Sequence, residues 1–354
     1  MERRTFLKIL SSAGIVSLVS PTFAMEVCKN KVSKSSSALL ESAFRNPPFS
    51  SGVYTWWHWM NGNITKDGIT RDLEAMKANG IAGYQLFEAG SGIPIGPVES
   101  LSDEWVDLIL HTLKESERLG LEFAMHNCPG WSSSGGPWIT PDKPMQIITW
   151  SETKITGGKQ VRIQLPTPKH MFDYYIDTYC LAIPANMKVI PRLSILELSN
   201  RLDKDGVLTW DVPTGEWLIM RFGQTAKDQK NKSAPSKSTG LDCDKFSTEA
   251  LDYHLNCMFK RLMPTMEKIA KHSKIGLLID SYETGDQDWT SDMPAYFEQS
   301  HGYELYPFLP VLANKIVESE ESTKRFLFDF RRVRADMFAE RYYGHFQKRC
   351  KEKG

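Results

Sequence analysis

The sequence predicts an α/β chain built as a TIM-like (β/α) barrel, incomplete as it stands, with a β-rich insertion. Three observations lead there. An amphipathic helix, a short break and an apolar strand ending in polar residues recur three times along the chain. Between residues 147 and 223 that pattern gives way to runs alternating apolar with polar. By Gly354 only about five of a barrel's eight strands can be counted. A smaller complete α/β domain is the alternative.

Residues 1–24 carry an address. Arg3-Arg4-Thr5-Phe6-Leu7-Lys8 precedes an apolar run from Ile9 to Val19, and Pro21-Thr22-Phe23-Ala24 supplies a small residue for cleavage. These are the charged region, apolar core and exit of a signal peptide. Paired arginines before Phe-Leu-Lys suggest the twin-arginine route, with Glu2 where Ser or Thr is more usual. The apolar run falls short of the ~20 residues of a membrane span. The protein is therefore expected to be exported, periplasmic or extracellular, and free of the membrane once the signal is removed. Residues 25–43, rich in Lys and Ser from Cys28 to Ser42, are expected to be a tether.

Lys plus Arg and Asp plus Glu number 43 each, so no electrostatic case exists for a nucleic-acid or anionic-membrane partner. The six cysteines include no CxxC pair, which argues against a zinc ribbon or a thioredoxin-like site. Ten tryptophans are available to stack on sugars or to fill a core.

The first part of the barrel is expected over 44–146. Trp56 to Asn61 looks like its first strand. The first helix spans roughly Lys66 to Asn79, with Thr65 as N-cap and Ile69, Leu73 and Met76 on one face. Gly80 stops it, and Ile81 to Phe87 follows as a strand ending at Glu88. Ser102, backed by Asp103 and Glu104, starts the second helix, which Gly120 ends. Leu121 to Met125 is the next strand, ending at His126-Asn127-Cys128. The insertion occupies 147–223, with Gly157-Gly158 and Asp205-Gly206 as turns. Residues 224–354 continue the barrel. A helix from Ser247 toward His272, bent at Pro264, leads to strand Ile275–Ile279 and Asp280-Ser281-Tyr282-Glu283. A long helix from about Glu318 to Cys350 follows. A barrel fits better than a doubly wound sheet, because no Gly-rich phosphate loop follows the first strand.

In such sheets ligands sit at the C-terminal ends of the strands. Glycosidic cleavage usually needs two carboxyls, and the strand-end candidates are Glu88, Asp242, Asp244, Asp280 and Glu283. Glu283 stands out through its apolar strand, its polar tip and Trp289 in the same loop; an apolar wall raises a carboxyl toward the range of a general acid. A buried structural ion pair explains such a carboxylate equally well. His58, His126 and Asn127 suit hydrogen bonds to sugar hydroxyls or, for the histidines, metal ligation. Trp57 and Trp131 are platforms or packing. The Cys128-Pro-Gly-Trp-Ser-Ser-Ser-Gly-Gly-Pro-Trp138 loop lets backbone approach a ligand closely, and no Gly-x-Ser-x-Gly elbow supports a serine nucleophile.

Four blocks resemble the α-L-rhamnosidases of glycoside hydrolase family 106. They are Trp56-Trp57-His58-Trp59-Met60-Asn61-Gly62-Asn63, His126 to Trp138, Gly240-Leu-Asp-Cys-Asp-Lys245 and Asp280-Ser-Tyr-Glu283. In the third, the family more often has Glu at the position of Asp242. The resemblance implies a barrel core with β-rich additions, an inverting mechanism, a calcium-assisted site and a rhamnose-containing glycan as substrate. It makes Glu283 the general acid. Trp57, His58, Asn61, Glu88, His126, Asn127, Trp131, Asp242, Asp280, Tyr282 and Trp289 are the residues expected to bind the sugar. Family members are much longer, and their general base would correspond to a position beyond Gly354. Two other readings stand beside this one: a non-catalytic carbohydrate-binding fragment, and a metal-dependent hydrolase using His58 and His126.

Overall fold

The computed structural model describes residues 34–282 and 285–354. The signal peptide expected over 1–24 lies outside the described residues, and so does Glu283. The chain divides into two units, 1–53 and 54–354. In the first, helix α1 spans Lys34–Arg45 and so runs through the latter part of the expected tether. Ala38 to Arg45 contains no helix breaker, and Glu41 pairs with Arg45 one turn on at 2.9 Å.

The second unit opens with β1 (Val53–Met60, whose first residue precedes the boundary), α2 (Lys66–Ala78), β2 (Ile81–Ala89), α3 (Asp103–Leu119) and β3 (Glu122–His126). Thr65 and Ser102 cap the two helices, accepting hydrogen bonds from the backbone N–H groups of Gly68 and Trp105. Gly120 closes α3 in the left-handed conformation.

Then comes the insertion: β4 (Gln146–Thr156), β5 (Lys159–Gln164), β6 (Tyr175–Pro184), β7 (Val207–Val212) and β8 (Glu216–Ala226). β8 lies between β4 and β6, antiparallel to both, and β5 pairs antiparallel with β7. Period-two alternation sorts the two faces of the larger sheet. Leu181, Ile183, Leu218, Met220 and Phe222 enter one core with Trp289, Phe297 and Phe326. Cys180, Ala182 and Ile219 enter another with Leu208 and Trp210.

The chain returns through α4 (Thr248–Phe259), α5 (Met263–Ile269) and β9 (Ile275–Leu278). The single bent helix expected here is two helices. Pro264 falls in the first turn of α5, where its missing N–H costs nothing. Beyond β9 lie α6 (Met293–His301), α7 (Glu320–Met337), a π-helical turn (Phe338–Gly344) and α8 (His345–Lys353). The π turn interrupts what the sequence presented as one long helix. Among the described residues, no helix is long and apolar enough to cross a membrane.

The central sheet has the order β1-β2-β3-β9, four strands rather than about five. β2, β3 and β9 are parallel. Asn61 N–H donates to the Ala89 carbonyl at 2.7 Å, which sets the C-terminal ends of β1 and β2 side by side. Helices cover one face, with Trp59, Leu73, Tyr84, Leu86, Ile109 and Phe259 in the shared core. The other face is open along β1, where Tyr54, Trp56 and Met60 are 44%, 56% and 45% exposed, and covered at Phe87 and His126, which are 1% and 2% exposed. The fold is thus mixed α/β, a parallel sheet with antiparallel insertion sheets, and these four strands do not themselves close a barrel.

This asymmetry predicts unequal mutational costs. Ile109→Ala, in the helix-side core, should destabilise by about 2–5 kcal/mol. Met60→Ala, on the open face, should cost less than about 1 kcal/mol. Urea unfolding of both variants checks this, and equal losses would contradict the two-faced sheet.

Candidate active site

The C-terminal ends of the four strands bring together three of the quoted blocks. On the open face an aromatic row crosses the sheet. The Phe87 ring stacks on His58 at 5.5 Å and on His126 at 5.1 Å, and Trp56 reaches it at 5.2 Å. His126 is 2% exposed. Its Nδ1 donates to the Cys128 carbonyl at 2.8 Å, and its Nε2 faces the Asp280 backbone N–H at 3.4 Å as acceptor. That is the neutral imidazole, and burial lowers its pKa accordingly. Asp280 is half-buried and Tyr282 exposed, its hydroxyl donating to the Gly285 carbonyl at 2.9 Å.

Asn127 is fully buried and ties β3 to β9, its backbone and side-chain N–H groups both donating to the Leu278 carbonyl at 3.0 Å. His254 on α4 donates from Nε2 to the Asn127 carbonyl at 3.0 Å, and Trp138 donates to its Nδ1 at 3.2 Å. Both ring nitrogens are thereby used, and burial pushes this histidine down to about 3.

The loop from Cys128 to Trp138 is clamped between the strand ends and residues 231–243. Gly130, at φ 80°, donates to the Glu88 carbonyl at 2.8 Å. A Cβ there would lie 2.1 Å from the Lys232 carbonyl oxygen, so no larger residue fits. Trp131 is half-buried, with its N–H on the Lys232 carbonyl at 3.2 Å. The Tyr342 hydroxyl donates to the Ser133 carbonyl, and Ser134 donates to Asp242.

Beneath this loop lies an ion pair with no solvent exposure on either side chain: Lys245 Nζ and Asp242 Oδ1 are 2.6 Å apart. Burial pushes the Asp242 carboxyl up, and the ammonium opposes that. For Lys245 burial works downward, but the carboxylate more than offsets it and the ammonium keeps its proton. Tyr282 and Tyr342 present their rings to Nζ at 5.7 and 5.5 Å. Next in sequence, Asp244 is pushed up to about 6 by burial, against hydrogen bonds from Gln287 and Thr290.

The remaining candidates lie elsewhere. Glu88 is 7% exposed and turns toward the helix layer, where Ser100 donates to it at 2.8 Å and Trp59, Trp105, Ile109 and Met125 share its cavity. Burial pushes it up to about 7, against that hydrogen bond. Trp57 also packs on the helix side, its indole donating to Asp72 of α2 at 3.1 Å. Trp289 is fully buried in the core under the insertion sheet. Asn61 holds a turn at φ 51°, its Nδ2 donating to the Ile93 carbonyl at 2.7 Å. Of the described candidates, His58, Trp131, Asp280 and Tyr282 are thus the ones that face solvent near the strand ends. Phe87, Ser134, Lys245, His254, Gln287 and Tyr342 were not singled out from the sequence. Of these only Lys245, three residues after Asp242, carried a local signal.

Among the described residues, no group of three or more His, Cys, Asp or Glu converges to hold a metal ion. Asp242 is committed to Lys245, and both Asp244 oxygens accept hydrogen bonds from Gln287 and Thr290. Asp242 Oδ2 is buried without a hydrogen-bond partner among the described residues.

Two stability measurements follow. Glu88 has a folded pKa of about 7 against an ordinary 4.5. Its contribution is thus fully present below pH 4.5 and lost as pH rises to about 7. Relative to Glu88→Gln, the parent should lose on the order of 3 kcal/mol across that window; a pH-independent difference in urea unfolding would contradict the burial. Lys245→Met should cost about 3–5 kcal/mol by leaving a buried charge, and adding Asp242→Asn should restore most of it. A double variant as unstable as the single one would show that the two groups are not coupled.

The family is shown by one comparison with known proteins, and two others show relatedness and fold. The family model for alpha-L-rhamnosidase of glycoside hydrolase family 106 matches residues 45–178 and 169–354. A protein of Formosa agariphila described as "Putative beta-glucuronidase" is 41% identical over 346 residues, 89% of this chain and 30% of its own length. The solved structure of a rhamnosidase from Novosphingobium sp. PP1Y superposes with a TM-score of 0.81 at 24% identity, over 89% of this chain and 46% of that one. At that identity the superposition speaks for the fold alone. The chain spans less than half the length of either protein. With strand ends, blocks and family model in register, the chain belongs to the alpha-L-rhamnosidase family, glycoside hydrolase family 106.

Proposed function

We propose that this chain is the exported, site-bearing part of a glycoside hydrolase that removes terminal α-L-rhamnosyl residues from a polysaccharide or glycoside. The family match across residues 45–354 carries this reading. In it Glu283, which follows β9 in the sequence, donates a proton to the departing oxygen. A second carboxylate, outside this chain, activates water on the opposite face of the sugar. Inversion requires roughly 6.5–9.5 Å between the two carboxyls, enough to seat that water. The open sheet face and the free edge of β9 would then be covered by further β/α units, closing a barrel around the aromatic row. In this reading His58, Trp131, Asp280 and Tyr282, the candidates that face solvent, line the sugar.

The name of the Formosa agariphila relative supports a second reading, in which the sugar is a β-glucuronide. Both are settled by one assay. The full-length gene product should release aglycone from an aryl α-L-rhamnoside, and Glu283→Gln should lower kcat by at least about a hundredfold. Unchanged turnover in that variant removes Glu283 from the acid's role. Faster hydrolysis of the aryl β-glucuronide would favour the second reading. Calorimetric binding of rhamnose with no hydrolysis of either substrate would leave only a carbohydrate-binding protein.

A further inference from the structure

We infer that Asp244 and Gln287 are positioning residues for the loop that carries Glu283, an inference resting on the reading of Glu283 as the acid. The loop leaves β9 at Leu278, and its described residues flank Glu283 on both sides: Tyr282 before it, Gly285 to Thr290 after it.

Gln287 is 2% exposed, yet its amide oxygen and both of its amide N–H groups have partners. Oε1 accepts from the Lys245 backbone N–H at 3.0 Å. Nε2 donates to the Trp289 carbonyl at 3.1 Å and to Asp244 Oδ1. The second Asp244 oxygen accepts from Thr290 Oγ1 at 2.8 Å, and Oδ1 also takes the Phe246 N–H at 2.8 Å. One buried carboxylate thus fastens the loop at two places, 287 and 290. From the adjacent residue, the Lys245 ammonium reaches the Tyr282 ring on the near side of Glu283.

Other elements hold the same segment. Arg334 donates to the Gln287 carbonyl at 3.0 Å, and Asp288 accepts from the Ile148 N–H of β4 at 2.9 Å. The loop is thereby tied to α7, to the insertion and to the block containing Asp242. Asp244 and Gln287 are 5% and 2% exposed, so neither is available to a sugar; what they can do is fix where the loop sits.

Two variants test this, Asp244→Asn and Gln287→Leu. In hydrogen exchange on this chain, amides of 285–290 should exchange about tenfold faster or more in each, while α3 and the β5–β7 pair keep parental rates. A uniform rise, or none, overturns the inference. That readout is independent of any activity.

The second readout is kinetic, in the full-length gene product. A misplaced acid matters most when the leaving group needs its proton. Each variant should therefore lose about tenfold or more in kcat on a phenyl α-L-rhamnoside at unchanged KM, and approach the parent on the 2,4-dinitrophenyl substrate. Equal losses on both substrates contradict a positioning role. If the parent hydrolyses no rhamnoside, the functional reading fails, while the exchange result still decides whether these residues hold the loop.

Discussion

The strand-end architecture depends on one buried contact, the Asp242–Lys245 ion pair. A fully desolvated pair is weak evidence for stability, because removing two charges from water offsets most of their attraction. What it supplies here is connection. Asp242 takes the Ser134 hydroxyl from the loop after β3, and Lys245 lies against Tyr282 from the loop after β9. Tyr342, from the π turn, closes over the same ammonium while its hydroxyl holds Ser133. Three segments far apart in sequence meet at one charge. Losing either partner would leave the other buried and uncompensated, so the three loops are coupled through it.

The second constraint is the inequality of the sheet's faces. Helices cover one side, and there a side chain meets aromatic and aliphatic neighbours regardless of its polarity. Glu88 falls on that side and is held by Ser100 with its pKa raised by burial. On the opposite side the same strands present His58, Phe87 and His126 as a stacked row, with Trp56 tilted against Phe87. A strand-end carboxylate therefore serves the site or the core according to parity alone, since successive side chains alternate between faces.

Helices and strands were legible in the sequence because their signals are local. Thr65, Ser102 and Gly120 act within one turn, and the spacing of Ile69, Leu73 and Met76 needs no partner to be read. The helix-to-strand recurrence identified the parallel sheet in the same way. Parity at Glu88 was not legible: β2 is buried on both sides over most of its length, so alternation of polarity gives no face. Trp57 and Trp289 illustrate the ambiguity of aromatic residues, one packed on α2 and the other in the core beneath the insertion. Gln287, His254 and Tyr342 were invisible because their partners lie 42, 127 and 209 residues away. Asp242 was noticed as a carboxylate, and only the fold shows that its charge is already spent on Lys245.

In the proposed function, Glu283 protonates a glycosidic oxygen held at the C-terminal ends of β1, β2, β3 and β9. A crystal structure of the full-length gene product with a bound rhamnoside tests it most directly. The sugar is expected over the His58–Phe87–His126 row, with Glu283 within hydrogen-bond reach of the glycosidic oxygen and a second carboxyl roughly 6.5–9.5 Å from it. A sugar seated away from these strand ends, or a carboxyl pair only about 5–5.5 Å apart, would contradict it.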